Sequence, residues 1–222
     1  MDENEDPTKS FFFGVSFGGN TTSQAKLLID RVKDYTNFLL INNFDISTNE
    51  TTLNEISQYA IDADMSIMVY YDFIAYETWA WIPPWLDAAK ENWGDKFLGI
   101  YLYDGPGGKQ IDFGRWRSGE TAEKLFENVT NYNDAANRFT TSIPTFYSWK
   151  FVSSINLPIF TSDYALYWFD YLAGYDTVFG ELGWNHNSTQ HIALGRGAAN
   201  VQEKDWGTII VWNSLDRKDY DK

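Results

Sequence analysis

Seven short apolar runs, separated by segments with helical spacing, most constrain what this chain can fold into. In the segments, apolar residues recur on one helix face, as Ala25, Leu28, Ile29 and Val32 do. Strands that are almost continuously apolar are typical of a parallel sheet covered by helices on its outer face. The sequence therefore predicts an α/β fold. The runs begin at Phe11, Asn37, Met65, Phe97, Leu157, Asp176 and Trp206.

The repetition favours a parallel (β/α)8 barrel of the TIM type over an open doubly wound sheet. A G-x-G-x-x-G dinucleotide fingerprint follows none of the runs, and Gly14, Gly18 and Gly19 have the wrong spacing for a phosphate loop. A closed barrel needs eight strands, yet only SLDRKDYDK follows the seventh run. We therefore expect seven βα units, with the last strand missing or truncated.

Domain organisation and helix ends follow from the same reading. No linker splits the chain, so we expect one barrel domain over residues 10–222 after a disordered acidic tail over residues 1–9. Pro84 is expected at the first position of the helix that ends before Gly94. The predicted N-caps are Ser23 for the first helix, Asp163 or Ser162 for the helix after the fifth run, and Asn187 or Ser188 for the last.

Charge and aromatic content narrow the class of ligand. The net charge of −14 repels phosphate backbones and anionic lipid, which argues against nucleic acid and membrane-surface partners. Aromatic residues reach 18%, more than a core of this size needs, and flat rings exposed to solvent suit neutral sugars. We therefore expect a carbohydrate ligand and no cofactor.

The sequence gives less information about the cellular location of the protein. There is no cysteine, which excludes disulfides and thiolate chemistry. No apolar run reaches the ~18 residues that span a bilayer, and the start MDENEDPTKS does not resemble a signal peptide, so the chain as written is expected to be soluble, without membrane insertion. N-x-[ST] sequons at Asn20, Asn49, Asn128 and Asn187 permit an extracellular or cell-surface location after processing.

Acidic residues follow several of the runs, at the strand ends where barrels build their sites. Asp104 ends the fourth run and Glu181 lies in the sixth. Strands four and six would be roughly 10 Å apart, so the two carboxyl groups could end about 5 to 9 Å apart. That range covers both the retaining and the inverting geometry of glycoside cleavage. The sequence therefore predicts Asp104 and Glu181 as a catalytic pair.

Further residues are expected to bind the substrate. Asp72 and Asp163 are predicted to bind hydroxyl groups or tune a pKa, Asn213 and His186 to contact the ligand, and aromatic rings to stack on sugar faces. The predicted stacking residues are Tyr71, Tyr103, Trp184 and Trp212.

Structural roles are the alternative for the same acids. Asp after a strand often caps a helix or starts a turn, which applies to Asp163, Asp72 and Asp104. Glu181 is a poor cap former and lies in the apolar frame VFGELGW. A divalent-cation site on Asp72, Asp104 and Glu181 is a further alternative. His186 and His191 are five residues apart and would not share a helix face, so we predict no metal site.

With these residues placed, the chain resembles (β/α)8 glycoside hydrolases. The resemblance lies in FGVSFGG, YLYDG with Asp104, FGELGWN with Glu181, and RGAANVQEKDWGTIIVW. Acids on strands four and six are used by the α-galactosidase and α-glucosidase clans, which implies a nucleophile-like Asp104 and an acid/base-like Glu181. Those clans have Asp at the second position. The chitinase pattern DxxDxDxE and the Asn-Glu pair of the largest retaining clan are absent from the fourth run, and Trp212 and Asn213 replace that clan's strand-seven Glu.

Two functions from different classes are therefore predicted. The first is a glycoside hydrolase-like barrel that acts on a neutral glycan through Asp104 and Glu181, with retention or inversion left open. The second is a non-catalytic glycan-binding or extracellular interaction module on an incomplete barrel.

Overall fold

A computed structural model of the protein describes residues 11–71, 79–108, 128–145, 156–183 and 186–211. The predicted acidic tail lies outside the described residues, as do four of the predicted site residues, Asp72, Trp184, Trp212 and Asn213.

Seven β-strands are described, one for each apolar run. They are hydrogen-bonded in sequence order, β1 to β7. The pairs β1–β2, β2–β3, β5–β6 and β6–β7 are parallel. The strands are β1 (Gly14–Phe17), β2 (Phe38–Ile41), β3 (Ser66–Tyr71), β4 (Phe97–Asp104), β5 (Ile159–Asp163), β6 (Thr177–Leu182) and β7 (Asp205–Ile210).

Helices alternate with the strands along the described chain. They are α1 (Thr22–Val32), α2 (Phe44–Ser47), α3 (Glu50–Asp62), α4 (Ile82–Trp93), α5 (Tyr132–Ser142), α6 (Tyr167–Ala173) and α7 (Ser188–Val201), with short 3₁₀ turns at Gly94–Lys96 and Ile143–Thr145. The predicted α/β class and the sequential parallel strand order of a (β/α)8-type barrel are confirmed, with seven strands in the part of the chain that is described.

The chain divides into two compact units, Met1–Ile100 and Tyr101–Lys222. In the first unit, fully buried side chains of β2 and β3, such as Leu39 and Ile67, form the sheet's share of the core. Ile29 of α1 and Ile56 of α3 are equally buried and come from helices that pack on each other. The apolar faces of α1 and α3, which the sequence spacing predicts, therefore face the core. The single domain expected over residues 10–222 stays a prediction.

The second unit carries the acids of interest. Its strands β5, β6 and β7 are in register, with Asp163 beside Gly180 and Gly180 beside Thr208. Helix α7 packs against β6 and β7, and α6 packs against α7 and β6. Phe139 of α5 and Val178 of β6 are buried in its core. This packing holds the ends of β5 and β6 rigidly beside each other.

Three helix starts differ from those predicted. Thr21 rather than Ser23 caps α1 by accepting a hydrogen bond from the backbone N–H of Gln24. Helix α4 begins at Ile82, so Pro84 is its third residue, and Gly94 ends the helix as predicted. Neither Asp163 nor Ser162 caps α6, which starts after Leu166 without a side-chain cap. Asn187 caps α7 as predicted.

No helix that the structure describes combines the length and apolar content that crossing a bilayer requires.

Replacing the cap of α5 should destabilise the second unit. Asn131 accepts a hydrogen bond from the backbone N–H of Asp134 at 3.0 Å. We expect Asn131→Ala to lower the free energy of unfolding by about 1 kcal/mol, because that N–H loses its partner. Urea denaturation measures this loss. Asn133→Ala, at an exposed position within the helix, is the matched control and should be neutral or slightly stabilising. Equal effects of the two substitutions would contradict the capping role.

Candidate functional site

The carboxyl ends of three strands bring together Asp104, Ser162 and Glu181. Asp104 is the last residue of β4, Ser162 lies next to last in β5, and Glu181 lies next to last in β6. Ser162 is in register with Phe179, and Glu181 is two residues further along β6. Since side chains alternate along a strand, Ser162 and Glu181 point to the same face of the sheet.

One hydroxyl group links the two acids. Ser162 Oγ lies 2.6 Å from Glu181 Oε1 and 3.0 Å from Asp104 Oδ1. The Tyr101 hydroxyl lies 2.5 Å from Ser162 Oγ and donates to Asp104 Oδ1 at 3.1 Å. Tyr101 and Ser162 are both almost fully buried. The acids are therefore held by a polar network that the surrounding core fixes in place.

Asp104 and Glu181 also act on each other electrostatically. The Asp104 charge raises the pKa of Glu181, and Ser162 Oγ lies within hydrogen-bond distance of one oxygen of each carboxyl group. Two ionised carboxylates held in this way repel each other, which favours a proton on one of them. The separation of about 5 to 9 Å that the strand spacing predicts stays a prediction.

The two acids differ in environment. Glu181 is only 3% exposed, whereas Asp104 is exposed to solvent. Burial, the Asp104 charge and, to a smaller extent, the Asp163 charge raise the pKa of Glu181 to about 8, although the hydrogen bond from Ser162 lowers it. At neutral pH the proton therefore resides on Glu181. The site combines a buried, protonated acid with a solvent-facing carboxyl group.

The backbone before Asp104 is strained. Tyr103 has φ of 57°, in the left-handed region that bulky residues seldom adopt. Regular alternation would place Tyr101 and Asp104, three residues apart, on opposite faces of β4. The left-handed residue breaks the alternation, which lets Asp104 reach both Tyr101 and Ser162. Strain of this kind is concentrated at functional sites.

Asp163 lies on the other face of β5. It is fully buried, and its carboxylate accepts hydrogen bonds from the backbone N–H groups of Gly107, Gly108, Tyr164 and Ala165 at 2.5 to 3.1 Å. With its oxygens occupied in this way, Asp163 is not available to bind sugar hydroxyls. The second predicted role, tuning a pKa, stays a prediction; the Asp163 charge is one of the smaller causes that raise the pKa of Glu181.

The described aromatic candidates are placed differently from the prediction. Tyr71 and Tyr103 are 3% and 2% exposed, so neither offers a ring face to a ligand. This placement speaks against the predicted stacking role. Tyr71 lies in the first unit, and the raised pKa that burial gives its hydroxyl is that of a core tyrosine.

His186 forms an aromatic cluster at the end of β6. Its ring stacks on His191 with centroids 5.0 Å apart and lies 5.7 Å from the ring of Tyr164. The Tyr167 hydroxyl lies 2.5 Å from His191 Nδ1. The sequence argument overlooked this pairing because His186 precedes α7, so helical spacing does not govern it. No group of three metal-ligating side chains occurs among the residues that the structure describes.

Sequence reasoning also missed Ser162 as a site residue and treated it only as a helix cap. The available signal was the polar pair Thr161 and Ser162 inside a strand, since buried hydroxyl groups need partners. Asp170 was missed as well, and it was hidden in the aromatic segment YWFDYLA of α6.

Comparison with known proteins supports the fold but identifies no family. No protein-family model matches the chain, and no curated protein matches it. The structure is similar to that of "A psychrophilic glycoside hydrolase family 10 endo-beta-1,4-xylanase", with a TM-score of 0.51 and 8% identity. The match covers 87% of this chain and 72% of the xylanase chain. At this identity the likeness is one of fold.

Removing the buried acid should make stability less dependent on pH. The unfolded chain loses the Glu181 proton near its ordinary pKa of 4.5, whereas the folded chain keeps it to about pH 8. Wild-type stability therefore falls as pH rises through this window. Glu181→Gln, which has no proton to lose, should gain on the order of 3 kcal/mol over wild type between pH 4 and pH 8.

Urea denaturation of both proteins at pH 4, 6 and 8 measures this gain. Glu91→Gln, at an exposed position on α4, is the control and should run parallel to wild type. A stability difference between Glu181→Gln and wild type that stays constant with pH would show that Glu181 titrates normally.

Proposed function

We propose that the chain is a glycoside hydrolase-like enzyme that cleaves a neutral glycan with Glu181 as acid/base and Asp104 as nucleophile. The observation that carries this proposal is the Ser162 hydroxyl that links a buried Glu181, protonated at neutral pH, to a solvent-facing Asp104. Glycoside cleavage needs these two components, a carboxylic acid that protonates the leaving oxygen and a carboxylate on the other side of the bond.

The environments assign the two roles. A general acid must hold its proton at working pH, and the pKa of about 8 lets Glu181 do so. Asp104 is exposed, so a sugar can approach it. Ser162 and Tyr101 contact Asp104 and orient its carboxyl group. Glu181 then donates its proton and later recovers it from water.

The geometry favours retention of anomeric configuration. Inverting enzymes keep their carboxyl groups about 6.5 to 9.5 Å apart to admit water, whereas retaining enzymes use about 5 to 5.5 Å. While Ser162 holds both acids, their bonded oxygens stay within two hydrogen-bond lengths of each other. A sugar that binds between the acids and moves them slightly apart gives the retaining spacing of about 5 to 5.5 Å while both acids still bond to Ser162.

The substrate class follows from charge and from fold. A net charge of −14 disfavours anionic polymers and leaves neutral glycans. The fold likeness to a xylanase supports a carbohydrate ligand at the level of architecture only. Trp184, Trp212, Asn213, Asp72 and His186 remain proposed ligand contacts. Absence of nucleic acid partners and a cell-surface or extracellular location stay predictions.

A non-catalytic glycan-binding module is the second candidate. Two observations favour it: both acids hydrogen-bond to the same Ser162 hydroxyl, which occupies the position between them, and Tyr71 and Tyr103 offer no stacking face. This candidate predicts sugar binding without turnover.

Replacing either acid should abolish hydrolysis and leave binding largely intact. On a panel of neutral glycans that includes β-1,4-xylan, Asp104→Asn and Glu181→Gln should each lower kcat by about 10²- to 10⁴-fold. Wild-type activity should fall above about pH 8, where Glu181 loses its proton. Reducing-sugar release measures turnover, NMR of the first product reports the anomer, and calorimetry reports binding.

Glu91→Gln is the activity control, because Glu91 is exposed on α4 in the first unit. Binding of a glycan by wild type without turnover of any member of the panel would decide for the non-catalytic module. An inverted first product would refute the retaining geometry.

A further inference from the structure

A second pair of acids, Asp163 of β5 and Asp170 of α6, lies on the face of β5 opposite to Ser162. Both are 0% exposed. Each carboxyl group shifts the pKa of the other: Asp170 lowers that of Asp163, and Asp163 raises that of Asp170. Neither acid contacts solvent, so we infer their role from the protein groups around them.

Asp163 fixes the turn that follows Asp104. Its two oxygens accept from Gly107 N at 2.5 Å and Gly108 N at 2.8 Å, and Gly105 N donates to the Ser162 carbonyl at 2.9 Å. The approach is so close that a Cβ on Gly107 would lie 2.5 Å from Asp163 Oδ2. The glycine at position 107 is thereby explained, because a side chain there would displace the carboxylate.

Asp170 has a different set of neighbours. No hydrogen-bond donor among the described residues reaches either of its oxygens, and the group that it meets is the Asp163 carboxyl. Two buried carboxylates that interact in this way repel each other unless one of them holds a proton, and Asp163 already accepts four N–H groups. The proton therefore belongs to Asp170. Burial, followed by the Asp163 charge, raises the pKa of Asp170 well above its ordinary value.

The pair also acts on Glu181 through space. The Asp163 charge contributes to the raised pKa of Glu181. The titratable groups around Glu181 are Asp104 and Tyr101 of β4, Asp163 of β5, and Tyr167 and Asp170 of α6. Those around Asp170 are Asp163, Glu181, Tyr167, Tyr171 and Tyr175. All of these groups are acids or tyrosines. Asp163 carries the negative charge on the face of β5 opposite to Ser162.

We propose that Asp163 and Asp170 are positioning residues: sharing one proton, they clamp the turn at residues 105–108 and thereby hold Asp104 against Glu181. As a role in glycan cleavage this rests on the proposed function, but the clamp itself exists whether or not the chain turns over a sugar. Asp170 supplies the donor that keeps Asp163 oriented. The Asp163 charge adds to the effect of burial and of the Asp104 charge, which together keep the proton on Glu181.

Two variants separate the donor from the charge. Asp170→Asn retains a donor toward Asp163 and leaves the Asp163 charge in place. The double variant Asp163→Asn with Asp170→Asn removes that charge and one acceptor oxygen from the turn. Asp62→Asn, at an exposed position of α3, is the control for a lost carboxylate elsewhere.

Carboxyl ¹³C NMR titration and amide hydrogen exchange of the full chain test the proposal without substrate. In wild type, the titration midpoint of Asp170 should lie well above the ordinary value of 3.8. Asp170→Asn should leave the Glu181 midpoint and the slow exchange of the Gly107 and Gly108 amides unchanged. The double variant should lower the Glu181 midpoint by roughly one pH unit and speed exchange at both glycines at least about tenfold.

Three results would overturn the clamp. They are titration of Asp170 near the ordinary value of 3.8 in wild type, loss of amide protection in Asp170→Asn, and equal Glu181 midpoints in the single and double variants. The titration of Asp170 is measured in wild type, so this test remains valid even if the double variant does not fold. Failure of hydrolysis on the glycan panel, with these NMR results as expected, would refute the proposed function and leave the clamp in place.

Discussion

The link between Asp104 and Glu181 through the Ser162 hydroxyl is the constraint on which the site depends. It requires three neighbouring strands to end at the same edge and to carry their polar residues on one face. Parallel strands in sequence order meet the first requirement for any sequence with this fold. The second is specific to this chain, because a shift of one residue in β5 would exchange Ser162 for Asp163.

This arrangement works against folding at neutral pH. Burial keeps Glu181 protonated and raises the pKa of Asp170 well above its ordinary value, whereas the unfolded chain would ionise both. The surrounding packing must offset that difference. Buried residues such as Val178, Phe139 and Ala199 supply apolar contacts in the same unit. The protein thus keeps an acid that can donate a proton at the expense of some stability, which is a common relation between site and scaffold.

The strands and the two acids were accessible to prediction for different reasons. The seven apolar runs each contain one strand, because burial on both faces leaves a continuous apolar signal. Asp104 and Glu181 stood out as acids where such runs end. Ser162 and Asp163 were harder, since both are polar residues at one strand end and only the orientation of β5 separates a site residue from a clamp.

What the sequence by itself determined is the order and kind of the elements and the candidate acids, because apolar periodicity and strand-end polarity are local properties. Tertiary structure alone decided which side chains meet. The left-handed backbone at Tyr103 turns Asp104 toward Ser162, and the packing of α6 sets Asp170 against Asp163. Proton sharing between carboxyl groups depends on distance and burial, and neither quantity is contained in the spacing of residues along the chain.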